Sequence, residues 1–444
     1  MRPSGAEAAP RRVLSLVDAV AFIIGIVVGA GIFRAPSAVA GNAPSAAAVI
    51  AAWLAGGVVS LAGAMCYAEL ATTYPHAGGD YHFLLRALGR GPAFLFGWAR
   101  LTVIPTGSVA MLAFVFGDYA AELFRIPGAS GSLAALMVCA VTLLNVAGLS
   151  LARRAQVALA AALVAALVVV IATGLVLPPG VGPPSSPARP AFGLAMVFVL
   201  LAYGGWNEAA YVSSELRGGR RAIATALVVS IALLTALYVL ANVAYLRGLS
   251  LGGVRRSSAV AAELLSRGLG PVGASVIATV VAAAAFSSAN ATLLMGSRMV
   301  WAFGLDLPTF RWLGRWSGRA GSPVNAILFQ GAVALALVGL GALSRQGFEA
   351  MVAYVAPVFW LFFLLTGVSL FVLRRRDPTI PRPFRVPLYP ATPILFCATC
   401  AYLLWSSLAH AGAGAAVGVA VLATGLVPLW LSTRTAASRR TAAA

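Results

Sequence analysis

The sequence predicts an all-α polytopic membrane protein with twelve transmembrane helices. Three observations carry that prediction. Hydrophobic residues make up 61% of the 444 and charged residues only 10%, against about 25% charged in soluble domains. The apolar residues fall into runs near the roughly 20 residues that a helix needs to cross a bilayer. The basic residues, all of them arginine, collect in the polar segments between alternate runs. So few charges cannot cover a soluble globule of this length. A soluble enzyme, a secreted disulfide scaffold and a disordered chain are excluded.

The elements follow in order. Residues 1–12 are polar and form a cytoplasmic tail. Span 1 is Leu14–Val39. It is too long for a signal-peptide core of about 7–15 residues and has no small-residue cleavage site after it, so it is read as retained. Spans 2 to 6 are Ala46–Leu70, Pro92–Asp118, Ser132–Leu149, Ala155–Leu177 and Phe192–Glu215. The Pro- and Gly-rich run Leu177–Pro190 is a loop. Spans 7 and 8 are Ala222–Leu246 and Pro271–Phe303, with a short amphipathic helix expected over Ser257–Gly268. Spans 9 to 12 are Pro323–Leu343, Phe348–Leu373, Pro390–Ala409 and Ala415–Leu431. Lipid offers no partner to a free backbone group, so each span is a helix or a locally broken one.

The net charge of +19 comes from 31 basic and 12 acidic residues. With the N-terminus placed inside, 21 arginines fall in cytoplasmic segments, 7 on the other side, and Arg34, Arg100 and Arg298 lie within spans. That bias is the positive-inside pattern. It puts both termini in the cytoplasm and gives the positive charge a reason other than nucleic acid. A missed span would scramble the alternation, so the count also tests the segmentation.

Two spans carry glycine breaks. Span 1 contains Gly25-Ile26-Val27-Val28-Gly29-Ala30-Gly31-Ile32-Phe33, and span 6 contains Ala202-Tyr203-Gly204-Gly205-Trp206-Asn207. Glycine at this density disfavours a continuous helix. Gly25 and Gly29 alone also fit a GxxxG packing face. The breaks lie five spans apart, an odd number, so successive five-span repeats are inverted in the membrane. Paired interrupted spans at corresponding positions point to a carrier's binding site. The N–H groups at a half-helix start suit a carboxylate. Carbonyls freed at a half-helix end suit an ammonium or a small cation. Together they form a receptor for a zwitterion such as an α-amino acid.

At these residues the chain resembles the amino acid–polyamine–organocation superfamily, close to its L-type amino acid transporter-like branch. The resemblance rests on five motifs in order. They are Gly29-Ala30-Gly31-Ile32-Phe33; Tyr74-Pro75-His76-Ala77-Gly78-Gly79-Asp80-Tyr81; Ala202-Tyr203-Gly204-Gly205-Trp206-Asn207 with Glu215; Gly296-Ser297-Arg298; and Arg374-Arg375-Arg376-Asp377-Pro378 followed by Arg382-Pro383-Phe384-Arg385-Val386-Pro387. The match runs from about residue 13 to about 432.

The resemblance implies a five-plus-five inverted repeat, as in leucine-transporter-like folds, with discontinuous helices 1 and 6 and two extra C-terminal helices. It divides the chain into a tail over 1–12, repeats over 13–177 and 178–373, a linker with spans 11 and 12 over 374–432, and a tail over 433–444. It implies that Val27, Gly29, Ala30 and Gly31 meet the substrate carboxylate and that Leu201, Ala202 and Gly204 meet its amino group. Tyr203, Gly205, Trp206 and Asn207 would then form the pocket or gate. Two departures matter. Leu201 stands where the branch carries an aromatic gate. Leu163 aligns with a span-5 lysine used for proton coupling, and this chain has no lysine. Coupling through that lysine is excluded. The absence leaves a sodium site at Gly25, Val28, Ser287 and Ser288 as an alternative to exchange without an ion.

Other charged residues suggest roles of their own. Glu208, just past the second break, is a coupling or gating candidate, since a carboxylate at membrane depth is a functional hypothesis by default. Arg100 is its possible partner, and Asp18 could close an inner gate. Glu69 and Arg298 read as side chains that snorkel to the interface. Gly248-Leu249-Ser250-Leu251-Gly252 matches a nucleophile motif but lacks the preceding strand, the acid and the histidine that the chemistry needs. No catalytic residue, metal site or cofactor is expected. Cys66, Cys139, Cys397 and Cys400 all lie in apolar runs, so no disulfide-linked partner is expected.

The resulting expectation is a carrier of small, neutral L-amino acids in the cytoplasmic membrane. Cationic amino acids or polyamines are the nearest alternative, and a channel or sensor is the alternative from another class.

Overall fold

A backbone in lipid must satisfy its own hydrogen bonds, and this chain does so with helices. A computed structural model describes residues 20, 23–24, 27–75, 79–147, 153–181, 191–206, 219–306, 310–317, 322–344, 346–410 and 412–430. Among them there is no strand, only an isolated bridge between Ser317 and Ser322.

The first elements are a 3-10 turn over Ala30–Phe33 and the helix α1, Ala35–Asn42. Then come α2 (Ala46–Thr73), α3 (Asp80–Leu88), α4 (Arg90–Thr102), α5 (Ile104–Phe124), α6 (Ser130–Val146) and α7 (Arg153–Val176). After the loop come α8 (Phe192–Ala202), α9 (Gly219–Arg256), α10 (Val260–Asp306), α11 (Val324–Ala342), α12 (Gly347–Arg376), α13 (Ala391–His410) and α14 (Gly412–Thr424). Nine apolar stretches among the described residues are long enough to cross a membrane. They correspond to spans 2, 3, 5 and 7 to 12. The shorter α6 is span 4, and α1 and α8 are half-helices of spans 1 and 6. The protein is an all-α polytopic membrane protein.

The packing follows a shift of five spans. Span 2 packs on span 7, span 3 on span 8 and span 4 on span 9. The pairing of span 5 with span 8 is mirrored by that of span 10 with span 3. The 3-10 turn of span 1 sits against α5 and α10, and α8 lies between α1 and α2. The described parts of the two interrupted spans therefore pack among α2, α5, α9 and α10.

Two local findings refine the sequence reading. Residues 260–269 are helical and end at Gly270, whose φ of +68° precedes Pro271; this is the expected short helix between spans 7 and 8. The polar segment between spans 2 and 3 contains a helix, α3. Gly79 and Gly89, both with positive φ, bound it. Asp80 in its first turn and Arg86 in its last oppose the helix dipole.

Candidate functional site

The first break begins where the helix of span 1 ends. The Val28 N–H still donates to Ile24 O (2.7 Å), but the Gly29 N–H turns back to Val27 O (2.8 Å). Gly29 is extended, at φ −108° and ψ −179°, and offers no side-chain cap to the turn that starts at Ala30. The first N–H groups of that turn have no acceptor within the helix. The space beside them is open. A Cβ on Gly31 would meet nothing within 4 Å, and one on Gly29 would meet only Val27 O at 4.0 Å.

At the second break α8 ends with a last α-helical bond, Tyr203 N–H to Val199 O (3.0 Å), and then a tighter one, Gly204 N–H to Leu201 O (3.1 Å). Gly205 follows at φ +111°, a conformation that an L side chain resists. The turn fits closely against α2. A Cβ on Gly56 would stand 2.3 Å from Val199 Cγ1, and one on Gly63 would stand 2.7 Å from the Trp206 ring.

One side chain joins the breaks. The Tyr238 hydroxyl, fully buried on α9, lies 3.1 Å from Val27 O and 3.3 Å from Ala202 O. It has one proton for two carbonyls, so it donates to one at a time. The Tyr203 ring packs on Tyr238 with centroids 5.0 Å apart, and its own hydroxyl donates to Trp53 O (3.0 Å). Tyr203 thus anchors the second break to α2.

The two ends of the bundle are closed differently. At the end where span 1 finishes, Arg34 Nε bonds Asp118 Oδ2 of α5 (3.0 Å) and its Nη2 bonds Glu349 Oε1 of α12 (2.9 Å). Ser130 donates to the other oxygen of Asp118 (2.6 Å), and the guanidinium lies 5.2 Å from the Phe348 ring centre. This cluster is a latch across spans 1, 3 and 10. At the opposite, arginine-rich end, Trp206 packs edge-on to Tyr67 (5.3 Å) and beside Phe363 (5.6 Å) and Phe396 (6.3 Å). Below these aromatics, Glu69 is fully buried. It accepts from Arg374 Nε (2.7 Å) and Nη2 (2.5 Å), from Arg382 (3.4 Å) and from the Val386 N–H (2.7 Å).

The Amino acid permease family model matches residues 14–427. The chain belongs to the amino acid permease family. This permease is 30% identical over 404 residues to the human b(0,+)-type amino acid transporter 1, covering 88% of this chain and 81% of that protein. It is 32% identical over 445 residues to the mouse large neutral amino acids transporter small subunit 2, covering 96% of this chain and 82% of the relative. It is 30% identical over 436 residues to the human cystine/glutamate transporter, covering 95% and 85%. The permease is an amino acid transporter of the amino acid–polyamine–organocation superfamily, not an enzyme.

Of the residues singled out in the sequence, the permease brings Val27 and Ala202 to one hydroxyl, with Gly29, Ala30, Gly31, Leu201 and Gly204 on the same two turns. Tyr203, Gly205 and Trp206 form and anchor the second turn. Val28 is buried at the first break. Ser287 is buried and Ser288 half-buried on α10, the helix that packs on the 3-10 turn. Arg100 lines a small cavity with Asp80 and with Tyr67 and Phe363, the rings that pack on Trp206. Asp18, Gly25, Asn207 and Glu208 lie outside the described residues.

The snorkelling reading of Glu69 is wrong. Burial of a carboxylate is tolerable because two guanidinium groups and an amide satisfy its oxygens. Gly248–Gly252 lies within α9 with a kink at Ser250 (φ +62°), and no strand precedes it among the described residues. Tyr238 and the partners of Arg34 escaped the sequence reading. The available signal was a tyrosine hydroxyl deep in an apolar span, which must find an acceptor when buried.

Proposed function

We propose that the protein moves small, neutral L-amino acids across the cytoplasmic membrane by alternating access, exchanging one amino acid for another. The arginine-rich end and both termini face the cytoplasm in this reading, as the positive-inside bias supports. The carrying observation is that the Tyr238 hydroxyl touches carbonyls of both breaks while Gly31 borders open space.

The substrate carboxylate is bound at the Ala30 and Gly31 N–H groups, flanked by Val27 and Gly29. The ammonium is bound by carbonyls of Leu201, Ala202 and Gly204, so Ala202 O exchanges a hydroxyl partner for a charged one, a stronger bond. Gly205, Trp206, Tyr203 and Asn207 shape the pocket. A neutral side chain is favoured because the turns themselves, residues 29–33 and 203–206, carry no charged side chain. The four cysteines lie in or beside spans, so the carrier works without a disulfide-linked partner.

The test is a thermal-shift screen of detergent-purified protein against the twenty amino acids, since a ligand that binds only the folded state raises apparent stability. Small neutral amino acids should stabilise it. Stabilisation by arginine or spermidine instead would replace this reading with a cationic one. Radiolabelled uptake into proteoliposomes should proceed equally with and without a sodium gradient. Dependence on sodium would favour a site formed with Ser287 and Ser288.

A further inference from the structure

Beyond the latch, on its outer side, lies a second place built for charge. An open surface depression of about 390 Å³ is lined by the exposed side chains of Glu122 of α5, Arg256 at the end of α9, Ser258 of the linker, and Glu263 and Arg267 of α10, with Ser257 beneath them. Its volume falls in the usual range for small-molecule pockets. Glu122 sits four residues beyond Asp118 on α5, so it lies on the same helix face one turn outward. One wall of the depression therefore lies one helical turn beyond the Asp118 contact of the latch.

The charge pattern is specific. Among the described residues, four acidic groups lie at this end. Asp118 and Glu349 are held by Arg34, and the other two, Glu122 and Glu263, line the depression. Arg267 reaches Gly248 O. The side chains of Arg256, Glu122 and Glu263 have no ion-pair or hydrogen-bond partner among the described residues, although all three line the same space. With two guanidinium groups and two carboxylates, the lining carries no net charge. A singly charged solute would be attracted by one pair and repelled by the other. A zwitterion gains from both.

We propose that this depression is a docking site for zwitterionic amino acids, occupied before Arg34 releases Asp118 and Glu349. Arg256 takes the carboxylate, and Glu263 with Glu122 takes the ammonium. The two serines complete the hydrogen bonding at the carboxylate. The proposal rests on the amino-acid reading of the central site and on the orientation given above.

The test compares sides. Whole cells present the latch end to added substrate, and inverted membrane vesicles present the arginine-rich end. The probe is radiolabelled L-leucine or, if another of the twenty amino acids gives the largest thermal shift, that amino acid. Arg256→Gln and Glu263→Gln should each raise the KM of uptake in cells by about two- to five-fold, the range expected for exposed charge pairs. Vmax, thermal stability and the KM in inverted vesicles should stay at the wild-type values. A mere change of surface field would move KM in opposite directions for these two substitutions, or not at all for a zwitterion, and would overturn the proposal. So would an unchanged KM in cells, or an equal rise on both sides. Failure of the wild type to take up any amino acid would instead defeat the functional reading beneath it.

Discussion

Replacing Arg34 by methionine should bias the protein toward opening at the latch end. Arg34 separates two carboxylates, at 3.0 and 2.9 Å, and its removal leaves them facing each other. The side chains of Arg34, Asp118 and Glu349 are 9%, 14% and 20% exposed. Exposed pairs contribute about 0.2–1 kcal/mol, and breaking a fully buried pair costs about 3–5 kcal/mol. A partly buried latch falls between, at about 2 kcal/mol, or roughly 30-fold in the closed-to-open ratio. The assay uses Gly31→Cys, where a side chain enters open space, in a background with Cys66, Cys139, Cys397 and Cys400 replaced. A membrane-impermeant thiol reagent added to cells should label it up to about 30-fold faster when Arg34 is methionine. Asp118→Asn and Glu349→Gln, which each keep one partner, should accelerate labelling less. Equal labelling rates in all four proteins would show that the latch does not bar the route, and the gating argument would fail.

Other outcomes follow from the same geometry. Tyr238→Phe removes the hydroxyl shared by Val27 O and Ala202 O; leaving buried acceptors unmet costs about 1–3 kcal/mol, so steady-state uptake should show a lower Vmax with little loss of folded protein. Gly31→Ala should keep wild-type thermal stability yet raise the uptake KM, whereas Gly56→Ala, which collides with Val199, should lower the melting temperature. Glu69→Leu strands two guanidinium groups at the arginine-rich end, and detergent-solubilised yield should fall steeply, since an unmatched buried charge costs about 3–5 kcal/mol. Burial pushes the Asp377 carboxyl up, but hydrogen bonds from Tyr74 and Arg86 and the charges of Arg86 and Arg376 outweigh it, so its pKa lies below the ordinary 3.8. A depressed carboxyl stabilises above its unfolded pKa and loses that contribution as pH falls through the folded one. Melting temperatures compared between wild type and Asp377→Asn should therefore keep a constant difference from pH 8 to 5 and converge only below about pH 4.

The spans were legible because lipid imposes one rule on every residue in them, and hydropathy reports that rule directly. The breaks were legible because glycine is the residue that interrupted helices use, so Gly29, Gly31, Gly204 and Gly205 showed through without an image of the fold. The charged contacts were not legible. Arg34 finds Asp118 at a separation of 84 residues and Glu349 at 315, and no local pattern encodes such pairings. Glu69 was misread for the same reason. Its position near a span end suggested exposure, whereas Arg374, Arg382 and Val386 arrive from more than 300 residues away. Tyr238 sits in an ordinary apolar helix, and only the convergence of three spans gives its hydroxyl a purpose. The short helix α3 was missed because its amphipathic run is bounded by glycines that read equally well as loop.

The glycines of α2 have a mechanical corollary. Gly56 abuts Val199 before the second break and Gly63 abuts Trp206 after it, two turns apart on one helix face. Val199 and Trp206, on the two sides of the turn, therefore both rest on the same helix. At these two points the second break meets bare backbone of α2 rather than a side chain. A methyl group at either position would act as a brake, slowing turnover even where it left solute recognition untouched.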